Sequence, residues 1–146
     1  MPLKGIPISL TPELLYLLAR MGHGDSLVIA DANMPSDTIA ASTISRQIVR
    51  VSGSTSDIAR DVLKLMPLDT YHATPVQVMD RVPSDKEKGL VVPAYKLIEQ
   101  ATENSLEYVE RFEFYERAKK AFAVVQTDDF SLYANIILFK GVVTST

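Results

Sequence analysis

The stretch TPELLYLLARMGHGDSLVIAD, residues 11–31, sets the pattern for the whole chain. Thr11 can cap a helix whose first position is Pro12, and Gly22 is placed to end that helix in a left-handed conformation. The run SLVIA at 26–30 is short, continuous and apolar, as expected of a strand buried on both faces of a sheet. A helix followed at once by a buried strand favours an α/β fold.

The rest of the chain repeats this alternation. We predict strands at 46–53, 74–83, 122–127 and 135–141, and helices within 54–67, 93–104 and 105–121. The last two strands come close together in sequence and predict an antiparallel finish to a mostly parallel sheet. No repeat or flexible linker divides the chain, so we expect a single three-layer α/β/α domain over residues 1–146.

Side-chain spacing on two helices predicts their faces. On the helix within 54–67, which Ser54 or Ser56 would cap, the expected buried stripe is Ile58, Val62 and Leu65. On the helix at 105–121, the expected core face holds Phe112, Tyr115, Ala118 and Phe122, and the supportive i, i+4 ion pairs are Glu113–Arg117 and Glu116–Lys120.

The composition excludes several classes of protein. A net charge of −3 gives no basic face for nucleic acid, and the absence of cysteine excludes disulfides, thiolate catalysis and cysteine-based zinc sites. Residues 1–10 contain two prolines and a glycine and lack the apolar core of a signal peptide. Apolar runs stay far below the roughly 18–20 residues that a membrane span needs. We therefore expect a soluble, cytoplasmic protein.

Two residues beside the SLVIA strand could carry chemistry. His23, between two glycines, is either a loop side chain at a helix end or a proton donor and acceptor that a ligand can approach closely. Asp31 follows the strand, at the edge where open α/β sheets collect ligands. With Asp25 these residues could hold a metal ion, but two histidines and no cysteine argue against a metal site.

A second set of polar side chains lies in the last third of the chain. Arg111 and Tyr115 are four residues apart, hence neighbours on a helix, and together suit an oxygen-rich ligand. Tyr133 and Asn135 precede the last strand, whereas His72 is predicted to be structural or exposed. The chain has no nucleophile elbow, phosphate-binding glycine loop or dinucleotide fingerprint. These groups suit cofactor-free proton transfer on a neutral hydroxylated molecule.

Several motifs, in order along the chain, carry a family resemblance. They are TPELL at 11–15, ARMGHGD at 19–25, MPLDTY at 66–71, VPSDKE at 82–87, RFEFYERAKKAFAVV at 111–125 and YAN at 133–135. Together they resemble the family that contains fucose mutarotase and bacterial D-ribose pyranase. Its members interconvert the anomers of a free sugar without cofactor or metal, and form homo-oligomers, up to decamers, with sites near subunit boundaries.

The resemblance implies roles for eight residues. His23 and Tyr115 would be catalytic, and the substrate-binding positions would be Asp31, Asp69, Met79, Arg111, Tyr133 and Asn135. Asp69 and Met79 rest on the resemblance alone. The family commonly has glycine where this chain has Ala134, so a positive φ there would strain the alanine.

The function implied is interconversion of the α and β anomers of free L-fucose by ring opening and closure. His23 and Tyr115 would act on opposite sides of the anomeric centre, with the sugar held beside His23 by Asp31. Two alternatives stay open: the same chemistry on another monosaccharide, as in D-ribose pyranase, and sugar binding without catalysis.

Overall fold

One mixed sheet forms the centre of the fold. The computed structural model describes residues 2–145, in which the strands are β1 Ser26–Ala30, β2 Ile48–Arg50, β3 Val76–Met79, β4 Glu107–Val109, β5 Ala123–Gln126 and β6 Ile136–Phe139. The strand order across the sheet is β2-β5-β1-β6-β3-β4. Strand β6 runs antiparallel to its neighbours β1 and β3, and the other pairs are parallel. The predicted mostly parallel sheet is confirmed, but β1 separates β5 from β6 and places the antiparallel strand inside the sheet.

Helices cover both faces of this sheet. Their bounds are α1 Pro12–Arg20, α2 Ser36–Ala40, α3 Thr55–Val62, α4 Pro83–Glu87, α5 Pro93–Thr102 and α6 Arg111–Lys119. Leu27 and Ile29 of β1 pack with α1, α3 and α5, whereas Val28 and Ala30 pack with α2 and α6. Because every residue of β1 is buried, the strand must be apolar on both faces, which confirms the three-layer α/β/α architecture. Within residues 2–145 no helix is long and apolar enough to cross a bilayer.

The end of α1 differs from its predicted form. The Thr11 cap is confirmed, because its side chain accepts a hydrogen bond from the Leu14 N–H at 3.2 Å. Gly22 is not left-handed, however, since the helix ends in extended backbone at Met21. Lys140 Nζ donates to the carbonyl oxygens of Leu18 at 2.9 Å and Met21 at 2.6 Å. A cation directly after β6 thus satisfies the carbonyls that a glycine cap would otherwise serve.

The predicted helix at 105–121 is wrong in its first part. Residues 107–109 form β4, an edge strand paired with β3, and α6 begins only after Glu110. The Glu110 side chain accepts hydrogen bonds from the N–H groups of Phe112 and Glu113 and so defines the start of the helix. The buried residues of α6 are Phe114 and Ala118, whereas Phe112 is 66% exposed.

Smaller corrections concern single side chains. Ile58 and Val62 are buried as predicted, but Leu65 is 38% exposed because α3 ends at Val62. The Arg117–Glu113 pair forms at 3.2 Å, whereas Glu116 pairs with Lys119, at 3.0 Å, rather than with the predicted Lys120. The short helices α2 and α4 were not predicted.

Candidate active site

The eight predicted site residues lie at two opposite edges of the sheet, by which we mean the edges formed by the two ends of the strands and not the outermost strands. Six are near the carboxyl ends of β1 and β3 and the start of β6: Asp31, Met79, Arg111, Tyr115, Tyr133 and Asn135. His23 and Asp69 lie at the other edge, where β1 begins and β6 ends. The five residues of β1 separate the two edges by roughly 17 Å. One chain therefore does not bring His23 beside Tyr115 or Asp31.

A small cleft marks the first edge. Its volume is about 190 Å³, and its lining residues are Asp31, Asn33, Met34, Met79, Asp85, Tyr115, Leu132, Tyr133 and Asn135. Larger clefts of about 620, 680 and 640 Å³ open elsewhere, but they contain none of the predicted residues. We place the candidate site in the smaller cleft because polar groups converge there. Its volume, below the roughly 300–1,000 Å³ typical of drug-sized ligands, fits a small molecule.

Asp31 and Asn135 hold one another by reciprocal hydrogen bonds at the base of the cleft. The Asp31 N–H donates to Asn135 Oδ1 at 2.8 Å, and Asn135 Nδ2 donates to Asp31 Oδ2 at 3.1 Å. The other carboxylate oxygen accepts from the Asn33 N–H at 3.0 Å. Burial raises the pKa of the Asp31 carboxyl, against the opposing effect of these hydrogen bonds. The pair is a fixed, buried carboxylate and amide suited to forming hydrogen bonds with the hydroxyl groups of a ligand.

Tyr115 and Arg111 project into the same region from α6. Arg111 Nε donates to the Tyr115 hydroxyl oxygen over a long contact of 3.4 Å, one helical turn away. A phenol has one proton and two acceptor positions, so a phenol that accepts from a guanidinium keeps its proton for a ligand. Tyr115 is therefore set up as a hydrogen-bond or proton donor in the cleft.

Tyr133 has a left-handed backbone with φ +58°, in the YAN segment. The expected strain at Ala134 is absent, because that residue does not have a positive φ and its side chain is fully buried. The Tyr133 hydroxyl donates to Asp85 Oδ2 and accepts from the Val82 N–H at 3.1 Å. Burial, with the Asp85 carboxylate as a further cause, raises the pKa of the Tyr133 phenol, so its proton stays in place.

His23 and Asp69 form an ion-pair-type contact at the opposite edge. His23 Nε2 lies 2.9 Å from Asp69 Oδ1, with the histidine side chain 46% exposed and the aspartate side chain 8% exposed. Asp69 is held in turn by its own N–H, which donates to the Phe139 carbonyl at 2.9 Å. The hydrogen bond from His23 is the main cause that lowers the pKa of the Asp69 carboxyl. Asp69, predicted as a sugar ligand, thus contacts the catalytic candidate.

The loop that carries His23 is fixed to the end of β6. Gly24, with φ +86°, donates its N–H to the Lys140 carbonyl at 2.8 Å, and a β-carbon added there would meet nothing within 4 Å. A glycine is required there because L side chains rarely adopt that φ. His72 lies nearby, accepts from the Thr74 N–H through Nδ1 at 2.9 Å and stacks on Phe139, which is a structural role.

Sequence reasoning missed Asp85. It lines the cleft and bonds Tyr133, but in the sequence it is one charge among several in VPSDKE and carries no signal of its own. The alternative metal site also fails on geometry, because His23 and Asp31 lie at opposite ends of β1. Within residues 2–145 no three histidine, cysteine, aspartate or glutamate side chains converge as metal ligands.

Residues 4–143 match one family model, described as the RbsD / FucU transport protein family. The chain belongs to this family. It is 54% identical to fucose mutarotase of Mus musculus, over 95% of this chain and 94% of the relative, and 51% identical to fucose mutarotase of Homo sapiens, over 96% and 94%.

Solved structures of family members share the fold. The fucose mutarotase of Streptococcus pneumoniae in complex with L-fucose superposes with a TM-score of 0.86 at 40% identity, covering 97% of this chain and 100% of that one. RbsD of Bacillus subtilis complexed with D-ribose superposes with a TM-score of 0.71 at 28% identity, covering 99% and 100%. Both comparisons run over nearly the whole of each chain.

Proposed function

We propose that this chain interconverts the α and β anomers of free L-fucose, as an isomerase that needs neither cofactor nor metal. The observation that carries the proposal is the cleft at the end of β1 and β3, where phenol, carboxylate and amide groups converge. The similarity to fucose mutarotases at 54% and 51% identity supports the choice of sugar.

Mutarotation needs only two proton transfers. The ring oxygen is protonated while the anomeric hydroxyl loses its proton; the pyranose opens, the aldehyde rotates, and the ring closes on its other face. His23 and Tyr115 are the proposed pair, because an imidazole exchanges protons near neutral pH and a phenol gives a proton more easily than it takes one. Two such groups, at roughly 10²–10⁴-fold each, lower the barrier by about 5–11 kcal/mol.

The other cleft residues would orient the sugar. The Asp31–Asn135 pair presents fixed polar groups for sugar hydroxyls, and Arg111 and Tyr133 lie beside them. Met79, buried at the end of β3, would contact the methyl group of a 6-deoxy sugar. An apolar contact of this kind discriminates by only about 1–3 kcal/mol, so selectivity over other sugars should be incomplete.

A complete site would form between two copies of the chain, in a homo-oligomer of up to ten copies. The separation of His23 from the cleft supports this arrangement, since His23 of one copy could reach the cleft of another. Exposed apolar side chains lie at both edges: Tyr71, 81% exposed, beside His23, and Leu132, 60% exposed, in the cleft wall. Association of two copies in the proposed arrangement would bury both side chains. A cytoplasmic location stays a prediction.

Saturation-transfer NMR tests the activity and the sugar together. We expect the wild-type chain to accelerate anomer exchange of L-fucose more than that of D-ribose, and His23→Ala to abolish the acceleration. Faster exchange of D-ribose would change the substrate only. Binding of either sugar without faster exchange would leave a sugar-binding protein and overturn the enzyme assignment.

Mixing two inactive variants tests the shared site. If each site takes His23 from one copy and Tyr115 from another, subunit exchange between His23→Ala and Tyr115→Phe restores both groups in about a quarter of the sites. Native mass spectrometry verifies that hybrids have formed. Hybrids without recovered activity would show that both groups act within one chain.

A further inference from the structure

We infer that Asp85 is a positioning residue of the cleft: it fixes the Tyr133 hydroxyl so that Tyr133 can only accept a hydrogen bond from the sugar. The inference rests on the proposed function, because it concerns how the sugar substrate binds. Asp85 lies on the short helix α4, 48 residues before Tyr133 in sequence, and both residues line the cleft.

Helix α4 and the residue that precedes it hold the phenol from two sides. Asp85 Oδ2 accepts the Tyr133 hydroxyl proton, and the Val82 N–H donates to the same hydroxyl oxygen at 3.1 Å. A phenol has one proton and two acceptor positions. The proton and one acceptor position are therefore used, and one acceptor position is left for a ligand.

The two phenols of the cleft consequently offer different hydrogen-bonding groups to a ligand. Tyr115 accepts from Arg111 and keeps its proton, whereas Tyr133 has committed its proton to Asp85. A sugar hydroxyl at Tyr133 must therefore donate, whereas Tyr115 can still donate its own proton to a sugar oxygen. This fixed pattern admits a sugar in one orientation and leaves an unsatisfied group in others.

The backbone of Tyr133 also has an unusual conformation. Its φ of +58° is unfavourable for a residue with a side chain and persists only where neighbouring contacts hold it. The hydrogen bonds to Asp85 and Val82 are the contacts that hold the tip of this side chain. Without Asp85, we expect the Tyr133 hydroxyl to rotate until its proton points into the cleft. That proton would then face the proton of the sugar hydroxyl that should donate to Tyr133.

Kinetics of L-fucose exchange by this chain test the inference. We expect Asp85→Ala to raise KM about five- to tenfold with little change in kcat, because a ground-state orientation is lost. Asp85→Asn keeps an acceptor oxygen and should recover most of the lost affinity. Tyr133→Phe should match Asp85→Ala, and the double variant should be no worse than either single one, because the two residues act as one unit.

The control is Glu87→Gln, which removes an exposed carboxylate from the same helix and should leave KM unchanged. Asp85→Ala with a wild-type KM, or Asp85→Asn as impaired as Asp85→Ala, would overturn the inference, as would additive effects in the double variant. If Asp85→Ala does not fold, the near-isosteric pair Asp85→Asn and Tyr133→Phe carries the comparison. If the wild-type chain does not accelerate the exchange of L-fucose, the proposed function itself is wrong. That outcome is distinct from all of those above.

Discussion

The Nε2 atom of His23 lies 2.9 Å from Oδ1 of Asp69, across 46 residues of sequence. Oδ1 of Asp69 also accepts from the Tyr71 N–H at 3.0 Å, so the carboxylate is held in place from a second direction. A carboxylate beside Nε2 favours the tautomer with the proton on that atom and leaves Nδ1 to exchange a proton with a ligand. Asp69 therefore orients the His23 ring, whether or not Asp69 also contacts the sugar.

Asp69→Asn separates the orienting role from sugar binding. We expect kcat for L-fucose exchange to fall about 10- to 100-fold with KM nearly constant, because the positioned acid/base group contributes roughly 10²–10⁴-fold and part of this is lost. NMR exchange rates at several sugar concentrations measure both parameters. A raised KM with wild-type kcat would instead make Asp69 a sugar ligand.

The same carboxylate predicts a pH dependence of stability. The hydrogen bond from His23 lowers the folded-state pKa of Asp69 below its unfolded value of about 3.9. Its contribution to the free energy of unfolding is thus complete above that unfolded value and disappears as pH falls through the lower, folded one. Urea unfolding of wild type and Asp69→Asn from pH 6 to pH 3, at one protein concentration, should show the wild type losing more stability over this range. Parallel curves would contradict the assignment.

Gly141 holds the segment that carries Asp69, and its substitution should damage both stability and catalysis. A β-carbon at Gly141 would lie 2.4 Å from the Leu68 carbonyl oxygen, which is backbone and must move. We expect Gly141→Ala to lower the free energy of unfolding by about 1–3 kcal/mol or more, and to lower kcat. In Gly22→Ala the new atom would lie 3.7 Å from Asp25 Oδ2, an ordinary contact, so its free energy of unfolding should change by less than about 0.5 kcal/mol. Equal effects of the two changes would argue against the steric cause.

Local sequence patterns predicted the elements that depend on burial. SLVIA at 26–30 is buried throughout, and such a continuous apolar run has few alternatives to a central strand. Residues 107–109 were predicted as helix because they precede a charged helical pattern, whereas pairing with β3 makes them an edge strand. A three-residue strand has too little periodicity to be read from sequence.

The site was harder to predict because its contacts are distant in sequence. Asp69 and Met79 had no local signal, and Asp85 was not predicted at all. His23 precedes β1 and Tyr115 follows β4, and these two strands run in the same direction, so the two residues lie at opposite ends of the strands. No motif encodes these strand directions. Sequence patterns identify polar residues that suit one reaction, but the order and direction of the strands decide which of them lie close together within one chain.

An exchange of the two side chains at the base of the cleft tests the Asp31–Asn135 pair. In Asp31→Asn alone, the new amide has one oxygen for two donors, so its NH2 group would face either Asn135 Nδ2 or the Asn33 N–H. If Asn135 turned over to accept from the new amide, its own NH2 group would face the backbone N–H at position 31. We expect a loss of about 1–3 kcal/mol in the free energy of unfolding. The double variant Asp31→Asn/Asn135→Asp again pairs each donor with an acceptor and should regain most of that stability. It moves the negative charge to the other side of the pair, so L-fucose exchange should stay impaired. Full recovery of exchange would show that the cleft needs the pair but not the position of its charge.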